Sequence, residues 1–198
     1  MIHYISKRDV VGTWNTLFCD DEIEKIIEAG TALETTKGVV GTPGAEQEPD
    51  PELRSSDVSF IYRDINTEWI FERYDGAVNR LNSLLFNVDV EPLRILQFTT
   101  YRGHGDHYTW HWDMRCAPEA NSTEVVQQRK ISIVTQLSDP DEYEGGVLKL
   151  APCGCVFDVE RAKGNTSVFL SFVNHQVTPV TSGTRYSLVG WYEGPDWR

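Results

Sequence analysis

Hydrophobic positions along this chain change their period near residue 93. Before that point they recur at helical spacing in two places. In DDEIEKIIEAG, Ile23, Ile26 and Ile27 form an apolar stripe, acids crowd the first turn, and Gly30 suits the position past the end. A helix is therefore predicted over Asp20–Ala29. Ile70, Tyr74, Val78, Leu81 and Leu85 repeat the spacing and predict a second helix from Thr67 to about Phe86. Residues 38–57, broken by glycine and proline, read as a long loop.

From residue 93 the period is two. The predicted strands are LRILQFTTY (93–101), YTWHWD (108–113), KISIVTQLS (130–138), GVLKLAP (146–152), SVFLSF (167–172), HQVTPV (175–180) and TRYSLVGWY (184–192). The clusters RGHGD, SDPDEYEGG, KGN and TSG punctuate them. Many short strands after two helices predict an α+β, mainly β fold: a sandwich or jelly roll with N-terminal helices packed on one outer face. With no internal repeat, residues 1–198 read as one domain, helical to about residue 92 and β from about 93 to 192.

Composition narrows the functional classes. At 198 residues and 40% hydrophobic content, the chain can bury a sizeable core. A net charge of −12 argues against a broad electrostatic grip on nucleic acid or an anionic membrane. The start, MIHYISKRDV, lacks the apolar stretch of a secretion signal, and no run approaches a membrane span, so a cytoplasmic location is expected. Four cysteines (Cys19, Cys116, Cys153, Cys155) are too sparse for a disulfide scaffold. Cys153-Gly154-Cys155 has no second pair with which to build a zinc site, and reads as free thiols in a turn.

The densest chemistry lies in HYTWHWD, residues 107–113. With period two, Tyr108, Trp110 and Trp112 fall on one face, and Thr109, His111 and Asp113 on the other. On a helix, residues i and i+2 diverge; on a strand they sit roughly 6.5–7 Å apart on one face and can meet at an ion. The chain has five histidines: His3, His104, His107, His111 and His175. His104 and His107 occupy a glycine-broken loop beside the pair. His175 opens a strand about sixty residues on, where a facing strand of a closed barrel could bring it to the pair. His111, Asp113 and His175 would make a two-histidine, one-carboxylate face with three open positions, the arrangement of non-haem Fe(II) oxygenases. A cupin-like metal site using His104 or His107, and a binding module whose polar residues merely face water, remain alternatives.

Arg185 and Ser187 share a face of TRYSLVGWY. An arginine aimed inward from such a strand needs an anion, and its planar guanidinium suits a carboxylate, with Ser187 adding a hydrogen bond. A surface arginine paired with one of thirty acids is the alternative.

The order His111-Trp-Asp113, then His175, nine residues and Arg185, resembles that of the 2-oxoglutarate- and Fe(II)-dependent dioxygenases, and most closely the prolyl 4-hydroxylase branch. QFTTYRGHGDHYTWHWD is similar to that branch's lead-in strand. LSDPDEYEGGVLKL (137–150) resembles a segment of the PKHD-type hydroxylases, and HQVTPVTSGTRYSLVGWY a shared final hairpin. The resemblance covers residues 93–192. It implies a double-stranded β-helix with Fe(II) held by His111, Asp113 and His175. It also implies 2-oxoglutarate as cosubstrate, with its far carboxylate on Arg185, where collagen-type members use lysine, and Tyr101 as a pocket hydroxyl. Gln136 stands where oxygen-sensing members have a tyrosine. O₂ and, as an optional addition, ascorbate complete the implied set. The implied reaction couples decarboxylation, yielding succinate and CO₂, to hydroxylation of a peptidyl prolyl residue, a free amino acid or another small molecule. Ile131, Ile133, Leu148, Leu150, Phe169 and Val189 would form a dry wall. The segments 38–57, 102–107 and 114–129 would act as lids, with His104, Asp106, His107 and Arg115 as substrate contacts.

Overall fold

The computed structural model describes residues 2–4, 10–40, 49–115 and 127–197. In chain order these form β1 (Ile2–Tyr4), β2 (Val11–Trp14), α1 (Asp20–Thr31), β3 (Thr36–Lys37), β4 (Arg54–Ser55), β5 (Asp57–Tyr62) and α2 (Glu68–Leu81), which runs on into a π-helical turn (Asn82–Phe86). Then come β6 (Ile95–Arg102), β7 (His107–His111), β8 (Gln128–Gln136), β9 (Tyr143–Gly145), β10 (Leu148–Ala151), β11 (Phe157–Asp158), β12 (Thr166–Leu170), β13 (Asn174–Val177) and β14 (Val180–Gly194).

The strands make two antiparallel sheets. The larger has nine strands in the order β1-β2-β12-β8-β14-β6-β5-β3, with β9 also on β14; the smaller has five, β11-β10-β13-β7-β4. This is the jelly roll, and both helices cover the outer face of its larger sheet. Ser59 Oγ of β5 donates to the Gly30 carbonyl of α1 at 3.0 Å. The buried hydroxyl of Tyr74 on α2 reaches Thr135 Oγ1 on β8 at 2.7 Å and the Leu188 carbonyl on β14 at 3.2 Å. Thr135 in turn meets Thr166 Oγ1 at 2.8 Å, so the polar atoms in this core are partnered.

Alternation along the central strands sorts the two faces. Phe98 on β6 and Ile133 on β8 pack on the helical side: Phe98 fills the space beside Gly30, and Ile133 lies against Leu96 and Leu93 around Gly190. The neighbouring residues Gln97, Tyr101, Val134, Ser187 and Val189 face the other sheet and line the cavity between them. The expected dry wall is thus half right. Leu148 and Val189 line the cavity, and Phe169 lies edge-on to His175 at 4.9 Å between ring centroids. Ile133, and Ile131 by alternation, belong to the outer core instead.

Other elements differ from expectation for identifiable reasons. Residues before 93 carry five strands besides the helices. DVSFIY does alternate, but two of its residues, Phe60 and Tyr62, are exposed, which blunts the pattern. The segment TSG does not break the chain into two strands. An irregularity between Val180 and Ser182 and the positive φ of Gly183 (71°), which pairs with Tyr143 of β9, keep β14 continuous, and a Cβ on Gly183 would strike the Glu142 carbonyl. The second helix ends where Asn87 turns left-handed at φ 51°. Asn82 closes that turn with its amide on the Val88 carbonyl at 2.8 Å and its carbonyl taking the Val88 N–H at 2.9 Å. Cys19, Cys153 and Cys155 are free and exposed, while Cys116 and residues 116–126 of the predicted lid lie outside the described residues.

Gly30 lies inside α1 and not past its end, because its missing side chain is what lets the helix rest on Phe98. Gly30→Ala should therefore lower stability by about 1–3 kcal/mol through overpacking, despite alanine's better helix propensity. Gly76→Ala in α2, with nothing within 4 Å of the new methyl, should be neutral or stabilising by up to about 1 kcal/mol. Paired thermal or urea melts check both; equal melting of the two variants would remove the packing role given to Gly30.

Candidate metal centre and its cavity

His111 on β7 and His175 on β13 are direct cross-strand partners in the smaller sheet. Their rings lie 4.1 Å apart between centroids. β7 ends at His111, and two residues later the chain is held by β12's exit: Asp113 and Met114 donate their N–H groups to the Ser171 carbonyl at 2.9 and 3.2 Å. That turn brings the Asp113 carboxylate to 3.8 Å from His111 Nε2 and 3.5 Å from His175 Nε2. One ligand atom from each of the three residues lies within 4.8 Å of the others, in the one such cluster among the described residues.

The hydrogen bonds around the three prepare them for a cation. His111 Nδ1–H donates to the Thr109 carbonyl at 2.7 Å, and His175 Nδ1–H to the Val173 carbonyl at 2.9 Å. Each imidazole is thereby fixed as the tautomer whose Nε2 lone pair points at the carboxylate. Burial, and then the charge of His175, pushes the His111 pKa down to about 3, so this ring is neutral at ordinary pH. Burial opposes ionisation of Asp113. The charges of His175, His111 and Arg129 and the hydroxyl of Ser132 outweigh it and hold the carboxyl below its usual range. Ser132 Oγ donates to Asp113 Oδ2 at 2.7 Å and meets Ser171 Oγ at 2.9 Å. Two imidazoles, each tied at Nδ1 to a backbone carbonyl, and one carboxylate converge here and fit a divalent ion of intermediate hardness.

The simple two-face reading of HYTWHWD does not hold: Tyr108, Trp110 and Trp112 line the cavity together with His111 and Asp113, and Thr109 does not. Pairing of β7 with β13 slips between Val177↔Tyr108 and His175↔His111, which spans two steps on one strand and three on the other. This bulge puts Tyr108 on the same side as His111, their rings stacked 3.5 Å apart. Arg54 caps the stack, its Cζ 4.6 Å from the Tyr108 centroid.

The triad opens into a cavity of about 1070 Å³ between the sheets. Arg185 lines it and is only 1% exposed. Its Nη2 donates to Gln136 Oε1 at 2.9 Å, its Nη1 reaches Ser187 Oγ at 3.5 Å, and its Nε has no partner. No carboxylate lies within 4 Å of it among the described residues. Tyr101, directly across on β6, presents its ring 5.1 Å from the guanidinium carbon. The surface-pair alternative for Arg185 is therefore excluded by its burial, and a charge so placed calls for an incoming anion.

The loop histidines are elsewhere. His107 has both ring nitrogens on carbonyls, Gly105 at 2.8 Å and Glu52 at 3.2 Å. His104 is exposed, beside Asp106 at 3.3 Å. Asp106 is buried to organise its own loop, taking Ser55 Oγ at 2.6 Å and the Arg102 N–H at 2.8 Å. None of these three lines the cavity, which corrects their expected substrate-contact role and leaves the cupin-like alternative without ligands. Arg115 does line it. Arg54, Arg129 and Ser132 also reach the site, with no sequence expectation attached to them, and Trp191 lines the cavity on the face it shares with Arg185. Ser132 could have been found, since a polar residue at the inward positions of a central strand is anomalous. Arg129 could not, because a bulge decides its direction.

A 43% identical relative, a PKHD-type hydroxylase from Azoarcus, aligns over 114 residues, 56% of this chain and 48% of that protein. The chain thus spans about half the length of the relative it matches. Among solved structures, a Pseudomonas putida prolyl-4-hydroxylase superposes with a TM-score of 0.72 over 94% of both chains at 20% identity. A Trichoplax adhaerens prolyl hydroxylase, solved with a hypoxia inducible factor oxygen degradation domain peptide fragment, gives 0.73 at 18% identity, over 93% of this chain and 83% of that one. The family model described as 2OG-Fe(II) oxygenase superfamily matches residues 96–193, a span that begins in β6 and ends in β14 and includes all three triad residues and Arg185, and the chain belongs to that superfamily.

Proposed function

We propose that this protein is a 2-oxoglutarate- and Fe(II)-dependent hydroxylase in which His111, Asp113 and His175 hold the metal and Arg185 anchors the cosubstrate's far carboxylate, with Tyr101 and Ser187 beside it. The observation that carries this reading is the pairing of a preset metal triad with a buried, carboxylate-free arginine in one cavity. Iron bound there would supply the oxidation in which 2-oxoglutarate, O₂ and a substrate C–H become succinate, CO₂ and an alcohol. The chain's own groups do the rest. Backbone carbonyls of Thr109 and Val173 hold the imidazole protons on Nδ1, and Ser132 fixes the carboxylate rotamer. Arg185 offers its free Nε–H and Nη1–H groups, and Val134, Leu148, Val177 and Val189 keep bulk water from the reacting atoms. Gln136 uses its carbonyl oxygen on Arg185, which leaves its amide N–H free to donate.

The substrate class we assign is a prolyl-type residue in a peptide, in line with the peptide-bound Trichoplax relative in fold. Nothing in the net charge favours nucleic acid, and among the described residues no helix is long and apolar enough to cross a membrane. We place the protein in the cytoplasm, as one domain over residues 1–198.

Anaerobic addition of Fe(II) and then 2-oxoglutarate should produce a weak visible charge-transfer band that needs both. His111→Ala, Asp113→Ala and His175→Ala should each abolish the band and succinate formation while the fold survives. Band formation by the His175 variant at wild-type iron affinity would exclude it as a ligand. Ser132→Ala, which leaves Asp113 unanchored on one oxygen, should weaken iron binding about 10- to 100-fold; unchanged affinity would make that hydroxyl a packing feature only. Arg185→Ala should weaken 2-oxoglutarate binding about thirty- to several-thousand-fold with little effect on iron, and Arg185→Lys should recover part of it. Calorimetry on oxygen-free, iron-loaded protein reads this directly, and an unaltered 2-oxoglutarate affinity in Arg185→Ala would sink the cosubstrate assignment.

A further inference from the structure

The cavity holds more positive charge than the cosubstrate can use. Its lining includes Lys37, Arg54, Arg115, Arg129 and Arg185 against a single carboxylate, Asp113, in a chain of net charge −12. Lys37 is answered by Asp57 at 2.7 Å. Arg115 and Arg129 share Glu193, at 2.6 and 4.0 Å, so one positive charge of that pair is left over.

Arg129 reaches the cavity through a bulge. Register along β8 and β14 steps from Tyr192↔Ile131 to Glu193↔Arg129, so Lys130 has no partner on β14 and Arg129 is turned to the inner face. Its guanidinium lies over the Trp191 ring, Cζ to centroid 3.9 Å. Arg129 Nε, Arg115 Nε and Trp191 Nε1 are all buried and have no hydrogen-bond partner among the described residues. Guanidinium and indole groups only donate, so this wall can be satisfied only by an acceptor. Arg54, 7% exposed, has no carboxylate within 4 Å among the described residues either. Around the mouth, Phe60, Trp110 and Trp112 present exposed aromatic surface.

We infer that the substrate carries a carboxylate, received by Arg129 with Arg115 and Trp191, joined to an apolar body that rests on the aromatic rim. This deepens the hydroxylase reading and rests on it. The acid could be a free carboxylate of a small molecule or an acidic side chain beside the modified residue of a peptide. Both present the same planar anion to the guanidinium.

The test uses full-length protein loaded with Mn(II) and saturated with 2-oxoglutarate, so that Arg185 is already occupied. Calorimetry would compare acids with their own primary amides: N-acetylproline with N-acetylprolinamide, phenylacetate with phenylacetamide, and capped Asp-Pro with capped Asn-Pro dipeptides. At least one acid should bind about ten- to a hundredfold more tightly than its amide, the value of a charge-assisted contact. Preference among the free acids assigns a small-molecule carboxylate and overturns the peptidyl substrate class assigned above; preference confined to the Asp-Pro pair assigns an acidic peptide. Arg129→Gln should bring the acid-to-amide ratio towards one, and Arg129→Lys should retain part of it. No acid preference in any pair, or a preference that Arg129→Gln leaves intact, overturns the inference. Failure of 2-oxoglutarate itself to bind the metal-loaded protein would instead overturn the hydroxylase reading, and is scored separately at the loading step.

Discussion

The cross-strand pairing of His111 with His175 is the contact on which the site depends. Antiparallel pairing sets two backbones about 5 Å apart and aims opposed side chains to one side. That spacing suits two imidazoles converging on one point. The third donor cannot come from the same ladder at the same height, and it does not. Asp113 arrives after β7 has ended, carried by a turn whose N–H groups are tied to Ser171. The centre is thus assembled by one register and one turn. A slip of one residue in β13 would send His175 to the opposite face.

Much of this was legible before any coordinates. The two helices and most core strands follow from periodicity, because the period itself reports which side of an element is buried; the nearness of Asp113 to His111 is also legible, although a turn past β7 and not strand alternation produces it. What periodicity could not reveal has a common cause. Tyr108 and Arg129 lie at bulges, where one extra residue reverses the facing of a side chain while leaving composition unchanged. Gly30 looked like a helix stop, but it is a contact surface for Phe98, and only tertiary packing distinguishes the two. The strand Asp57–Tyr62 is hard to read because two residues of its cavity-side face, Phe60 and Tyr62, are exposed. Among the histidines, spacing alone left His104 and His107 open. His107 uses its ring on the loop carbonyls of Gly105 and Glu52, and His104 stays exposed beside Asp106, which leaves His111 for the cavity.

The large and small sheets divide the work. The large sheet, with α1 and α2 on its back, holds the densest apolar packing and keeps the inner wall in place. Its inward positions are free to be polar for that reason: Ser132, Gln136, Ser187 and Arg185 would each be costly if their strands were not anchored from behind. Substitutions on the helical side should act mainly on stability, and those on the inner face mainly on binding.

The arrangement of charge along the cavity carries the same logic one step further. A buried arginine is tolerated when its hydrogen-bonding groups are met and its charge is met by an anion; Arg185 meets the first condition only in part, its Nε being unpartnered, and the second not at all. Arg129 lies over an indole and is further from any carboxylate than a good ion pair allows. Burial lowers its hold on the proton below the ordinary arginine range, although a guanidinium keeps its charge at any ordinary pH. Between the two lies the triad, whose one carboxylate is Asp113. A divalent cation there makes the middle of the cavity positive as well, so every fixed charge from one end to the other then attracts anions. Such a field favours a dianionic cosubstrate at the closed end and disfavours any cationic substrate at the open one, since a like charge brought into a low-dielectric cavity is repelled without water to screen it.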